Sequence, residues 1–113
     1  MKFNEILPVD KVRNMNPVVL AFVGDAVYTL FVREKAQTVC ASAQARLAER
    51  ISTFFTEAEN DVFRRARNAK KTSRAKNASV ADYNASTGFE AVIGYLYLTG
   101  NYARLDELLA LKD

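Results

Sequence analysis

Residues 17–32 read PVVLAFVGDAVYTLFV, a stretch whose sole charge is Asp25. Asn16-Pro17 supplies an N-cap followed by proline in a first turn, so a helix is predicted from there to about Lys35. A carboxylate in such apolar company is expensive unless a cation, a hydrogen-bond network or a proton neutralises it. The arrangement recurs in GFEAVIGYLYL, residues 88–98, where Glu90 is the sole charge between Tyr83 and Ala103. Two isolated carboxylates on two apolar helices suggest one shared acidic site.

Working outward, the pattern is helical nearly throughout. Both prolines precede residue 18, and no stretch alternates with the period of two that marks a half-buried strand. The first fifteen residues are expected to hold one short helical turn around Phe3, Ile6 and Leu7. Ser42 is expected to cap a helix from Ala43 to about Phe54. Thr56 with Glu59 three residues later makes a capping-box pattern for a helix to about Ala69. Lys70 to Ala81 is polar and weakly periodic, the signature of an exposed loop. Asp82 is expected to cap the next helix, which ends near Leu98 with Gly100 as its stop. Asn101 then caps a short final helix, YARLDELLALK. The expectation is an all-α fold of about six helices, with residues 1–113 as one domain.

Composition narrows the chemistry. The chain has no histidine, which removes Ser-His-Asp and Cys-His catalysis and histidine-ligated zinc together. Carboxylates favour hard cations such as magnesium, with manganese as a substitute. The single cysteine, Cys40, has no partner for an internal disulfide. With no secretion signal at the N-terminus, that fits a reducing cytoplasm. Each apolar run carries an acid near its middle, which argues against a membrane span.

Of the 16 basic residues, 7 fall in RRARNAKKTSRAK, residues 64–76, with no acid among them. The rest of the chain holds 9 basic against 13 acidic residues, so one basic patch sits on a mildly acidic domain. Such a patch is the usual footprint of a polyanion-binding surface. Ala21 and Asp25 are four apart, and Thr87 and Glu90 three apart, so each pair shares a helix face. If the two helices pack together, Asp25 and Glu90 can converge on one ion. Gly24, Gly88 and Gly94, costly inside helices, are then explained by close helix approach or by ligand access. Phe22, Tyr28, Phe31, Phe89, Tyr95 and Tyr97 recur at helical spacing and read as core or subunit interface.

LAFVGDAVYTLFVRE resembles the hallmark helix of ribonuclease III catalytic domains, and TGFEAVIGYLYLTG the second acidic helix of that family. The order, the separation and the basic RRARNAK segment between them resemble the short bacterial branch, Mini-ribonuclease III, which lacks a double-stranded-RNA-binding domain. The resemblance runs from about Asn16 to Leu109. It implies an all-helical homodimer that cleaves double-stranded RNA with magnesium, in the maturation of large-subunit (23S) ribosomal RNA precursor. It implies metal-binding catalytic roles for Asp25 and Glu90, and a place for Phe22 at the dimer interface. RNA contacts are expected from Arg64, Arg65, Arg67, Asn68, Lys70, Lys71, Arg74 and Lys76, and the family allows a ribosomal-protein helper. Ala21 and Thr87 depart from the longer enzymes, which carry a glutamate and an aspartate there. A second metal ion would then draw on water, phosphate oxygens or the Thr87 hydroxyl. The alternative is a catalytically silent ribonuclease-III-like module that only binds structured RNA.

Overall fold

The computed structural model describes residues 5–34, 41–70 and 79–110, with side chains described for 5–30, 45–70 and 79–110. Among these residues there are six α-helices and no strand. They are α1 (Val9–Arg13), α2 (Pro17–Glu34), α3 (Ala41–Ile51), α4 (Glu57–Asn68), α5 (Val80–Leu98) and α6 (Tyr102–Ala110). A 3-10 turn, Ser52–Phe54, continues α3. Cys40, Lys71, Arg74 and Lys76 lie outside the described residues.

The all-α expectation holds, with three corrections at helix starts. The first helix begins at Val9, after Pro8 rather than around Ile6 and Leu7, because proline fits a helix entry but not its interior. Phe3 is outside the described residues. The third helix begins at Ala41, so Ser42 lies inside it and is not its cap. The fifth is capped by Ser79, whose hydroxyl accepts the Asp82 amide at 3.0 Å. Asp82 instead adds negative charge in the first turn, where the helix dipole favours it. The stop was as expected: Gly100 takes φ +73°, a conformation that suits glycine.

Helix α5 is the centre of the molecule. It packs against α2, α3 and α4, and its C-terminal end meets α6. Every residue from Ser86 to Leu96 is buried except Glu90, which is half-buried. A helix enclosed on all sides is apolar all round, which explains the long uncharged run of the sequence. Leu20 and Tyr28 from α2, Leu47 and Ile51 from α3, and Val62 and Phe63 from α4 close the core over Phe89, Val92 and Leu96. No helix among the described residues is long and apolar enough to cross a membrane.

The capping box forms as the spacing predicts. Glu59 Oε1 accepts the Thr56 amide at 2.9 Å, and Thr56 Oγ1 accepts the Glu59 amide at 3.1 Å. Glu59 has a second duty that only the fold reveals. Buried at 2% exposure, it receives Arg104 of α6 in a two-pronged pair, Nε to Oε2 and Nη2 to Oε1, both 2.8 Å. Arg104 also donates to the Phe54 carbonyl at 2.6 Å and pairs with Glu107. The guanidinium thereby ties α6, the 3-10 turn and α4 together.

Burial by itself would raise the Glu59 pKa. The Arg104 and Thr56 hydrogen bonds outweigh it and hold the carboxyl below its ordinary 4.5. Its stabilising effect is therefore complete above the unfolded-state pKa and is lost as pH falls through the lower folded-state value. Glu59→Gln should lower stability by about 2 kcal/mol at neutral pH, the size of a charged hydrogen-bond pair. It should also flatten the acid limb of a stability-against-pH curve measured by urea unfolding. An unchanged limb would mean that another group drives acid unfolding.

Candidate active site

The α2–α5 contact is made through glycine. A Cβ on Gly24 would sit 1.6 Å from the Glu90 carbonyl oxygen, and one on Gly94 would sit 2.1 Å from the Leu20 carbonyl oxygen. The two backbones therefore touch, each helix using its glycine to admit the other's carbonyl. One turn along, Tyr28 meets Phe89 edge to face, ring centres 5.2 Å apart and planes at 86°. The T-shaped contact fixes the helices in rotation as well as in distance. Asp25 follows Gly24 in sequence and Glu90 supplies the carbonyl that meets Gly24, so the two residues belong to touching turns of the two helices.

Their surroundings correct one expectation. Asp25 is exposed, so its apolar sequence neighbours do not impose the desolvation first inferred for it. Those neighbours divide instead between two faces. Leu20, Ala21 and Tyr28 turn inward, while Val19, Phe22, Ala26 and Leu30 turn to solvent. The outward four are spaced three, four and four residues apart, a continuous stripe along α2. Phe22 is 71% exposed and Leu30 is 69% exposed. Burying side chains of this size stabilises by about 1.5–3 kcal/mol each, which this single chain leaves unrealised. Asp25 stands at the edge of the stripe, between it and the core.

The two departures from the longer enzymes also have a physical setting. Ala21 and Thr87 are both 5% exposed. The Thr87 hydroxyl donates to the Tyr83 carbonyl of its own helix at 2.9 Å. That bond uses the hydroxyl hydrogen and leaves its oxygen lone pairs as acceptors. Among the described residues no group of three or more histidine, cysteine, aspartate or glutamate side chains is placed to hold a metal ion. A cation here would have at most two such side chains as ligands among the described residues. That suits magnesium, which commonly takes one or two protein carboxylates and completes its shell with water and substrate phosphate.

The basic segment is less uniform than its sequence. Its acid-free run is answered from the preceding turn by Asp61, which Arg64 reaches at 3.4 Å and Arg65 at 3.8 Å. Arg13 from α1 adds a third guanidinium at 3.3 Å. Arg65 also donates to the Arg13 carbonyl at 2.6 Å, so it is anchored as well as charged. Arg67 lies 5.5 Å over the Phe63 ring and donates to Asn68 Oδ1 at 3.3 Å. It lines a hollow with Arg46, Glu49 and Asp82. Arg64, Arg67, Asn68 and Lys70 are exposed, and Arg65 is half-buried. Asp61 was findable in sequence, being three and four residues before the arginines it pairs with. Arg13 was not, because its contact spans 48 residues.

Residues 33–101 match the model of the ribonuclease III domain family. That span contains Glu90 but begins after Asp25. The chain is 42% identical to the Mini-ribonuclease 3 of Clostridium tetani over 116 aligned positions, covering 88% of this chain and 77% of that one. It is 40% identical to the Mini-ribonuclease 3 of a Thermoanaerobacter species, covering 96% of this chain and 87% of that one. The fold matches a crystal structure of a Fusobacterium nucleatum protein with a TM-score of 0.79 at 25% identity, covering 88% of this chain and 93% of that one. The family match and these likenesses agree with the all-helical fold and its close α2–α5 crossing: the chain belongs to the ribonuclease III family of endoribonucleases, alongside the Mini-ribonuclease 3 proteins.

Proposed function

We propose that this endoribonuclease cleaves double-stranded RNA with magnesium, Asp25 and Glu90 holding the cation, and that it matures large-subunit ribosomal RNA precursor in the cytoplasm. The observation that supports the reading is the glycine-to-carbonyl contact of α2 and α5, made by Gly24, next to Asp25, and by the carbonyl of Glu90. The cation supplies stabilisation of the charge that builds on the phosphate during in-line displacement. Asp25, being exposed, is open to a phosphodiester approaching from solvent. Glu90 is held from behind by the backbone contact with Gly24. The pair orients the reacting group, and the missing histidine is no obstacle because carboxylates and cation carry the charge between them. Manganese has the same preference for oxygen donors and substitutes for magnesium.

The exposed stripe of Val19, Phe22, Ala26 and Leu30 supports a homodimer. Pairing the stripe with that of a second copy would bury it and bring two acidic sites near one another, one for each strand. Arg64, Arg65, Arg67, Asn68 and Lys70 would hold the duplex backbone, together with Lys71, Arg74 and Lys76. A-form RNA presents its backbone and shallow minor groove more readily than its base edges. Selection then rests on helix shape more than on sequence. A ribosomal-protein helper would add discrimination that so small a surface does not supply.

The test is cleavage of purified duplex RNA and of a ribosomal precursor stem, in magnesium and in EDTA. Cleavage in magnesium and none in EDTA is expected, and sedimentation should return twice the 12.6 kDa chain mass. Duplex binding with no cleavage in either condition would favour a silent RNA-binding module. Cleavage that survives EDTA would remove the cation from the mechanism.

A further inference from the structure

Asp61 of α4 sits among three guanidiniums. Arg13 of α1 reaches its Oδ2 at 3.3 Å, Arg64 its Oδ1 at 3.4 Å and Arg65 its Oδ2 at 3.8 Å. Arg65 is fixed a second time by the Arg13 carbonyl, which accepts its Nη1 at 2.6 Å. One carboxylate neutralises one charge, so these three arginines keep a positive surplus. The Asp61 side chain is 28% exposed, against 41%, 54% and 37% for Arg13, Arg64 and Arg65. The carboxylate is the enclosed member of the cluster, and each arginine keeps an open side toward solvent. A hollow of about 260 Å³, lined by Arg13, Asp61 and Arg65 with Asp10 and Asn14, opens beside them.

That placement has two physical effects. Cations held close together repel, so without the carboxylate the long arginine side chains would part. The same carboxylate also repels any phosphate that approaches the arginines, over a distance set by salt. The balance differs between two kinds of RNA. Duplex phosphates keep a regular spacing, and cations fixed in advance give up less freedom on meeting them. A single strand bends to whatever cations it meets, so it gains little from a fixed array and feels chiefly the repulsion. We propose that Asp61 is a positioning residue for RNA selection, holding Arg64 and Arg65 in an array that favours duplex over single-stranded RNA. It acts through the arginines and touches no RNA itself. This deepens the proposed function and rests on it for the choice of RNA. It gives selection by helix shape a residue, and it makes Arg13 of α1 a brace for the basic end of α4.

Binding is measured in EDTA, so that no strand is cut, with a short blunt duplex RNA and an oligouridine of the same length. Asp61→Asn keeps the shape of the side chain and removes its charge. It should bind oligouridine about fivefold more tightly, the scale of one exposed ion pair released. Duplex affinity should rise by no more than about twofold, because the freed charge is offset by the lost array. The preference for duplex should thus fall by about twofold or more. Asp61→Glu, which keeps the charge, should restore most of it. Glu57→Gln is the control: it removes an exposed carboxylate one turn earlier on α4 that makes none of the three contacts. It should tighten both RNAs alike and leave the preference unchanged, whereas a merely structural Asp61 would change melting without moving the preference. If Asp61→Asn keeps or strengthens the wild-type preference, or shifts it no more than Glu57→Gln does, the role of Asp61 is overturned and the proposed function stands. If the wild type binds oligouridine as tightly as duplex, both fall. If the preference falls as described but the wild type leaves duplex uncut in magnesium, the role of Asp61 stands and the proposed function falls.

Discussion

Gly24→Ala should be the most damaging single-methyl change in the molecule. The added carbon would lie 1.6 Å from the Glu90 carbonyl oxygen, with the Gly94 amide nitrogen 2.9 Å away. Both obstacles are backbone, so no side chain can swing aside. Ordinary contact begins at 3.4 Å, and the helices would have to part by about 1.8 Å to restore it. Overpacking of a close-packed interface costs about 1–3 kcal/mol and sometimes more. With a backbone as the obstacle, a loss of about 3 kcal/mol or more is expected, a large share of the stability of a small domain. That corresponds to a fall on the order of 15 °C in melting temperature.

The same displacement reaches the chemistry, because Asp25 and Glu90 take their positions from this contact. A misplacement of about 1 Å at a reacting centre can cost about 100-fold in rate. Cleavage measured well below the lowered melting temperature should therefore also fall by about 100-fold. Gly94→Ala, whose Cβ would meet the Leu20 carbonyl at 2.1 Å, should reproduce both effects from the other helix. If either variant melts within about 2 °C of the wild type, the helices do not approach as closely as described.

The glycines show why so much of the fold was readable in advance. Helix-interior glycine has a local penalty, so Gly24, Gly88 and Gly94 pointed to close approach; Gly24 and Gly94 make the α2–α5 crossing, while Gly88 admits Phe63 of α4 instead. Long apolar stretches with one charge each marked α2 and α5 because such helices must be enclosed or paired. Thr56 and Glu59 announced α4 through spacing alone. The failures share a cause. Asp25 looked buried because linear sequence cannot separate the two apolar faces of α2, one turned to the core and one to solvent. Nothing in the linear sequence marks Arg104, whose place against Glu59 exists only once α6 folds back across 45 residues. The basic run looked uniform because sequence does not show that Arg65 turns toward Arg13 while Arg67 lies over Phe63.

Asp25→Asn separates the site assignment from the fold. The side chain is exposed and asparagine has its shape, so melting should stay within about 2 °C of the wild type, the usual scatter for surface changes. Cleavage in magnesium should fall by about 1,000-fold, equivalent to about 4 kcal/mol of transition-state stabilisation withdrawn with the cation. Glu90→Gln should lose cleavage to a similar degree, since removing either carboxylate halves the protein's charge on the cation. Duplex binding in EDTA should move the other way. Each variant removes a negative charge from a surface that phosphates approach, so metal-free affinity should be unchanged or slightly higher, with the gain fading as salt screens it. A merely structural acid would show neither the opposite signs nor the unchanged melting. If Asp25→Asn cleaves at the wild-type rate, Asp25 is not the catalytic acid. If instead it binds RNA more weakly in EDTA, the carboxylate contacts the RNA directly as a hydrogen-bond acceptor, and the cation must sit elsewhere.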